Sequence, residues 1–456
     1  MRHILIIGAG RSATNLIQYL AQKAIAQQLQ ITVADLSLES ANKSIQGMNH
    51  TKGIALDVTD PTQRQDLIQK HDLIISMLPA HMHMEVARDC LNFGKHLVTA
   101  SYISAAMQEL DAEARAKNLV FMNECGLDPG IDHMSAMKVI DEIRDQGGKM
   151  LLFESFTGGL IAPESDTNLW HYKFTWNPRN VVLAGQGGAA EFIQEGTYKY
   201  IPYHRLFRRT EFLDIEGHGR FEAYANRNSL KYRSIYGLED ILTLYRGTIR
   251  HVGFSKAWNM FVQLGMTDDS YRIPNSENLT YKEFVNLFLP YSPTDSVALK
   301  LRHNLKIDQD DLMWGKLEEL DLFNTEKTIG IPNASPAMAL QKILMDQWTL
   351  EPQDKDMIVM YHKFGYEING VKKQIDSNMV LIGDDQTNTA MAKTVGLPVA
   401  IAALKILNGV IKTPGVQLPI AKEVYTPILE ELEQYGVVFQ EHHVPYMGYN
   451  PNNVAG

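Results

Sequence analysis

Gly8-Ala9-Gly10-Arg11-Ser12-Ala13 lies between a short apolar run, Ile4-Leu5-Ile6-Ile7, and a helical stripe of Ala13, Leu16, Ile17, Leu20 and Ala24. Residues of these types at this spacing bind a pyrophosphate. Gly8 allows a tight turn, Gly10 lets the backbone come close to the phosphates, and the small Ala13 lets helix and strand pack with the helix N-terminus facing the anion. Arg11 and Ser12 belong to the same turn. Asp35 ends a second apolar run, Ile31-Thr32-Val33-Ala34, where a carboxylate can accept from ribose hydroxyls. The same charge repels the additional phosphate of NADP, and Leu36-Ser37-Leu38 offers no cation to hold it, so the pattern predicts NAD in preference to NADP. Further cofactor candidates follow later strands: Asp57 and Val58 to flank an adenine, and Ser76, Met77, Leu78 and Pro79 to run past the pyrophosphate and nicotinamide ribose. Ala100 and Leu127 complete the set.

A second concentration of functional groups is Asn123-Glu124-Cys125-Gly126-Leu127-Asp128-Pro129-Gly130, directly after the apolar Leu119-Val120-Phe121-Met122. Parallel sheets bind ligands just beyond the carboxyl ends of their strands, which is where this stretch falls. Asp128-Pro129 reads locally as the N-cap and first residue of a helix carrying Ala136, Val139, Ile140 and Ile143 on one face and stopped by Gly147-Gly148. On that reading alone Asp128 is a cap. Cys90 and Cys125 have no paired spacing, which fits a reducing compartment and excludes a disulfide scaffold or cysteine zinc site. His81 and His83, and the adjacent His442 and His443, have no visible third ligand, so no metal is expected.

The elements that position these groups alternate between short apolar strands and helices. After residues 53–56 and 73–76, a helix over 84–93, a strand over 96–99, a helix over 105–117 and the strand ending at Met122 complete a doubly wound α/β domain. A chain of 456 residues is too long for one ordinary domain, and its 45% hydrophobic and 21% charged content suits a globular protein. A net charge of -10 argues against a nucleic-acid surface, which needs clustered Lys and Arg. No apolar run reaches the roughly 18 residues of a membrane span. The longest, 397–407, is broken by Lys405. Met1-Arg2-His3 leads straight into a strand, which leaves no room for a signal peptide and makes the cytoplasm the expected location.

Beyond Gly148 the texture changes. A strand over 149–156 leads to Thr157-Gly158-Gly159-Leu160-Ile161-Ala162-Pro163, whose glycines and proline suggest a backbone passing close to something. Strand-like pieces at 221–224 and 245–250 suggest a mixed or antiparallel sheet, residues 256–345 read as an inserted helical region, and a strand pair follows at 357–366 and 377–382. A helix from about 389 to 407 comes next, and the tail from 446 to 456 is expected to be loose.

At these motifs the chain resembles saccharopine dehydrogenase of the glutamate-forming type, also called saccharopine reductase, over nearly its whole length. The matching runs include Gly8-Ala9-Gly10, Leu56-Asp57-Val58, Asp128 to His133, Gly158 to Ser165, Tyr172-Lys173-Phe174, Asn226-Arg227 and Arg246-Gly247-Thr248. The resemblance implies that saccharopine is interconverted with glutamate and 2-aminoadipate 6-semialdehyde using a nicotinamide dinucleotide. It also implies a homodimer of three-part chains: a Rossmann-type dinucleotide domain over 1–128 completed by about 388–450, a mixed α/β substrate-binding and dimerisation domain over 129–255 and 346–387, and an inserted all-helical domain over 256–345. A tricarboxylate needs cations, and Arg227 and Arg246 stand in matching motifs with Lys173 nearby and Thr248 beside them. Asp128 is the candidate proton acceptor, Ser101 and Tyr102 would orient the amine or nicotinamide, and Thr157 and Gly158 belong to the matching substrate block. Two departures stand out. NADP-using members carry a basic residue near the end of the second strand, where this chain offers Asp35, and the fungal type has a cysteine where it has Thr157, which suggests that no thiol chemistry is essential there. The competing readings are a carboxynorspermidine or homospermidine synthase-like enzyme, whose polyamine site needs carboxylates rather than cations, and a non-catalytic dinucleotide-binding regulator.

Overall fold

The computed structural model describes residues 1–448, so part of the expected loose tail lies outside the described residues. The chain divides into two compact units, Met1–Met150 with Tyr366–His443, and Leu151–Gly365 with the chain from Val444.

In the first unit, strands β1 (Arg2–Ile7), β2 (Leu29–Asp35), β3 (Thr51–Ala55), β4 (Leu73–Ser76), β5 (His96–Thr99) and β6 (Val120–Met122) are joined by a short strand at Gly415–Gln417. They lie in the order 415–417, β6, β5, β4, β1, β2, β3, and every pairing is parallel. The expected α/β class and doubly wound order are both present, and the order reverses between β1 and β4, the switch point where such sheets open a ligand crevice. Continuous apolar runs form these strands because helices cover both faces. The 105–117 helix is two short helices, Ala105–Gln108 and Asp111–Ala116. At the start of the second, Asp111 turns its carboxylate to the N–H of Val416 at 2.8 Å and to Arg115.

Helix Ala390–Leu407, N-capped by Thr389, corrects the reading of its apolar content. Over its 18 residues the mean hydropathy is 1.6, long and apolar enough for a membrane span, yet 78% of it is buried in the fold. It crosses the first helix, Thr14–Gln27, at Gly396, where a Cβ would lie 2.9 Å from Ser12 O and 3.0 Å from Leu16 N. Helix Ile131–Asp145 also groups with this unit. It packs on Lys422–Glu433, where the Tyr425 hydroxyl donates to Asp141 at 2.9 Å.

The second unit is built on β7 (Lys149–Ile161), β8 (Ala190–Gln194), β9 (Thr197–Ile201), β10 (Thr210–Ile215), β11 (Gly219–Ala225), β12 (Thr243–His251) and β13 (Asp356–Ile368). The order β10, β11, β12, β7, β13 mixes antiparallel pairs with the parallel β12–β7 pair, as the sequence pattern suggested. Residues 157–161 continue strand β7, and the close backbone approach suggested by their glycines is present. Gly158 is required there by close packing, since a Cβ would stand 2.5 Å from Ile249 O on β12. The described residues of 256–345 hold helices and no extended strand.

The crossing at Gly396 generates the first prediction. Gly396→Val forces backbone against backbone and should destabilise the protein by roughly 1–3 kcal/mol. An unchanged urea midpoint would show that the two helices do not depend on this close approach.

Candidate functional site

The dinucleotide motif is assembled at the carboxyl ends of β1, β2 and β4. Gly8, at φ 106°, could not carry a side chain, because a Cβ would lie 2.8 Å from Met77 O at the end of β4. At Gly10 a Cβ would meet nothing within 4 Å, so open space lies beside the backbone that must approach a pyrophosphate. Arg11, Ser12 and Ala13 form a single 3-10 turn leading into the first helix. The Asp35 carboxylate accepts from the N–H of Ala9 at 2.9 Å and of Ser37 at 3.0 Å, which ties the glycine turn to the end of β2. Leu36 beside it is exposed. Asp57 is exposed, and the hydroxyl and N–H of Thr59 hold its carboxyl below the usual range. Val58, Met77 and Leu78 are half-buried and Pro79 is exposed. Turn, open glycine and the carboxylate at the end of β2 together fit a nicotinamide dinucleotide.

Around β4, β5 and β6 the structure gathers Ser76, Ser101, Tyr102 and Asp128. His83, the first residue of helix His83–Phe93, is buried and links two of them: Nδ1 is 2.8 Å from Ser76 Oγ and Nε2 is 2.7 Å from Ser101 Oγ. Burial, then the charge of nearby His81, pulls its pKa down to about 4. The ring is therefore neutral at ordinary pH, with one nitrogen donating and the other accepting.

The Asp128 loop departs from the expected N-cap. Helix Ile131–Asp145 starts after Gly130, which occupies the cap position without a side-chain bond, and Asp128-Pro129 is a cis peptide before it. Asp132 supplies the local carboxylate instead, accepting from Gly130 N–H at 2.6 Å. Asp128 is thus released from capping and its Oδ1 accepts from the Tyr102 hydroxyl at 3.1 Å. Ala100 and Leu127 lie on the same strand-end segments. Cys125 is buried, which pushes its thiol up to about 12, so neither it nor the likewise buried Cys90 is a poised thiolate.

In the second unit, Arg246, Thr248 and Arg250 share one face of β12, and Thr157 lies opposite Thr248 on β7. Arg246 is buried, with its guanidinium 4.3 Å from the Tyr232 ring centre. Thr157 is buried and its hydroxyl has no partner. Arg227 is exposed on a turn at φ 39°. Lys173 is committed to a buried ion pair with Asp354 at 2.6 Å, so its charge is already balanced. The sequence reading passed over Arg250, although two-residue alternation from Arg246 points to it. Arg250 is 4% exposed and ringed by Tyr172 at 5.3 Å, Phe254 at 5.3 Å and Tyr224 at 5.8 Å. Its Nη1 donates to Ile249 O at 2.9 Å, its Nε has no partner, and among the described residues no carboxylate pairs with it. Glu222, directly across on β11, turns its carboxylate to the N–H groups of Gly253 and Ser255 at 2.9 and 2.6 Å.

Comparison with known proteins gives concordant results. Residues 4–122 match the family model described as saccharopine dehydrogenase NADP binding domain, and residues 126–437 match the saccharopine dehydrogenase C-terminal domain. The chain is 33% identical over 451 residues to the NADP(+), L-glutamate-forming saccharopine dehydrogenase of Schizosaccharomyces pombe, covering 97% of this chain and 99% of that one. It is 34% identical to the mitochondrial alpha-aminoadipic semialdehyde synthase of Rattus norvegicus, over 96% of this chain and 47% of that protein. The apo saccharopine dehydrogenase (L-Glu forming) of Saccharomyces cerevisiae superposes with a TM-score of 0.88 at 31% identity, covering 98% of this chain and 100% of that one.

The burial of His83 has a consequence for acid stability. The folded protein resists protonating it until about pH 4, whereas an unfolded chain takes up that proton near 6.5. Its contribution is therefore intact above pH 6.5 and lost as pH falls toward 4, on the order of 3 kcal/mol over that window. His83→Gln should flatten the acid limb of stability against pH, measured by denaturant unfolding at each pH. A limb as steep as that of the parent protein would place the responsible groups elsewhere.

Proposed function

The chain belongs to the saccharopine dehydrogenase family, and from that premise we propose how its residues carry out the saccharopine oxidoreductase reaction of lysine metabolism. When bound, the nicotinamide dinucleotide supplies the hydride acceptor. Oxidation of the secondary amine of saccharopine also requires a proton to leave nitrogen. Water must then add to the imine carbon before the C–N bond breaks to give glutamate and 2-aminoadipate 6-semialdehyde. Asp128 takes the amine proton, and Tyr102, donating to Asp128 Oδ1, holds the carboxylate in its working rotamer. Ser101, anchored through His83, orients the substrate amine. The observation that carries this reading is the Tyr102–Asp128 pair on segments that follow β5 and β6, where an open parallel sheet receives its ligand.

The substrate's carboxylates fall to Arg246, Arg250 and Arg227, whose planar forks meet a carboxylate bidentately. A buried Arg250 without a carboxylate partner is the reverse of what a polyamine site would need, which argues against a polyamine-linking enzyme. The S. pombe relative is named for NADP(+), but we infer that this chain prefers NAD. The support is the Asp35 carboxylate at the end of β2, bonded to the glycine turn, with no cation in residues 36–38. A homodimer in the cytoplasm is the setting we propose, and the exposed aromatic residues Tyr198, Tyr200 and Phe212 on β9 and β10 support the dimer part of that reading.

Two measurements test the reading. Saccharopine added with NAD should raise the absorbance of reduced nicotinamide, and Asp128→Asn should lower kcat by about 10²–10⁴. No absorbance change with either cofactor, in protein shown to bind NAD, would make it a regulator instead. Asp35→Ser combined with Leu36→Arg should raise kcat/KM with NADP relative to NAD, and an unchanged ratio would show that the ribose end is read by other residues.

A further inference from the structure

Beside the Tyr102–Asp128 pair lies a buried carboxyl–imidazole assembly that the reaction scheme does not use. Glu124 and His133 are 1% and 0% exposed, and Glu124 Oε2 is 2.9 Å from His133 Nε2. The other carboxylate oxygen of Glu124, Oε1, accepts from the N–H of Ile103 at 2.9 Å, and the backbone N–H of Glu124 donates to Ser101 O at 3.1 Å. One residue therefore grips the chain on both sides of Tyr102. Glu124 itself stands at φ 51°, a left-handed conformation that a non-glycine residue keeps only when its surroundings demand it. His133 comes from the first turn of helix Ile131–Asp145, immediately after the Asp128 loop. Asp132 Oδ2 lies 3.6 Å from its Nδ1, while Asp132 Oδ1 holds Gly130 N–H.

The geometry points to Glu124 and His133 as positioning residues. We propose that together they fix the separation of Tyr102 and Asp128, and so the efficiency of the proton-transfer step, without touching the substrate. The chain of contacts is short. His133 orients the Glu124 carboxylate, that carboxylate fixes Ile103 and with it Tyr102, and His133 rides on the helix whose start carries Asp128. A buried carboxylate forming charge-assisted bonds is directionally stiff. This inference rests on the role given to Asp128 above.

The test is a double-mutant cycle read with saccharopine and NAD. Glu124→Gln should lower kcat about 10–100-fold, as expected when a reacting group is misplaced by about 1 Å. NAD binding, followed by quenching of protein fluorescence, should stay within about twofold, because the dinucleotide motif is untouched. In an Asp128→Asn background, Glu124→Gln should cost little more, since the pair it positions is already disabled. His133→Gln retains a side-chain N–H for Glu124 and should keep most of the activity, whereas His133→Leu should fall with Glu124→Gln. The proposal is overturned if Glu124→Gln leaves kcat unchanged, or if its loss is as large in the Asp128→Asn background as alone. Should Glu124→Gln not yield folded protein, the contrast between His133→Gln and His133→Leu decides the matter in the same way. An Asp128→Asn variant with full kcat would instead remove the role assigned to Asp128. A crippled Asp128→Asn with a fully active Glu124→Gln would remove only the positioning role.

Discussion

The close crossing of Gly126 and Gly130 is the constraint from which the candidate site follows. A Cβ on Gly130 would lie 2.1 Å from Gly126 O and 2.2 Å from Gly126 N, and Gly130 adopts φ 147°, so no other residue fits. The crossing is closed by Gly126 N–H donating to Pro129 O at 2.9 Å and Ile131 N–H to Gly126 O at 2.8 Å. Those bonds satisfy the backbone within the loop itself and leave Asp128 at its apex. They also set where the following helix begins, and therefore where Asp132 and His133 stand. Had the helix begun two residues earlier, Asp128 would have been consumed as its cap.

The same economy governs the neighbouring strand ends. β4 and β5 each finish in a hydroxyl-bearing segment, at Ser76 and at Thr99 to Ser101, and one neutral imidazole bridges them. A charged group there would face a large desolvation cost, and burial removes it by keeping His83 unprotonated. The ring serves as a rigid two-ended hydrogen-bonding strut. Its position at the first residue of helix His83–Phe93 means that the helix, rather than a flexible loop, fixes the strut.

How much of this could be read from the sequence depended on whether one residue type had one use. The glycine turn, Asp35 and the short apolar strands were legible because a doubly wound sheet leaves little alternative for such a pattern, and strands 73–76 and 96–99 fall where the pattern put them. Asp128-Pro129-Gly130 was misread because Asp before Pro serves equally as a helix cap and as a tight turn. Only the close approach of Gly130 to the backbone of Gly126 decides between them, and the residue types alone do not show it. The glycines of 157–159 signalled a close backbone approach but not what approaches. In fact Gly158 is demanded by a neighbouring strand whose approach is invisible in one dimension. His83 was missed for a related cause, since nothing local marks a polar residue as buried, whereas Arg250 was marked only by its two-residue step from Arg246.

Two buried cations of the second unit show why geometry, not residue type, separates scaffold from site. Lys173 and Arg250 are 6% and 4% exposed, so each has given up most of its hydration. Lys173 recovers that loss from Asp354 at 2.6 Å, and Asp354 is further fixed by accepting from Glu351 N–H at 2.7 Å, which closes a self-sufficient structural pair. Arg250 has one carbonyl and three aromatic faces. Quadrupole attraction and the delocalised guanidinium charge make this tolerable, but about 0.5–2 kcal/mol per cation–π contact falls well short of a paired carboxylate in a dry site. Arg250 is therefore carried at a cost to the fold, and under the function proposed above a substrate carboxylate returns that cost as binding energy.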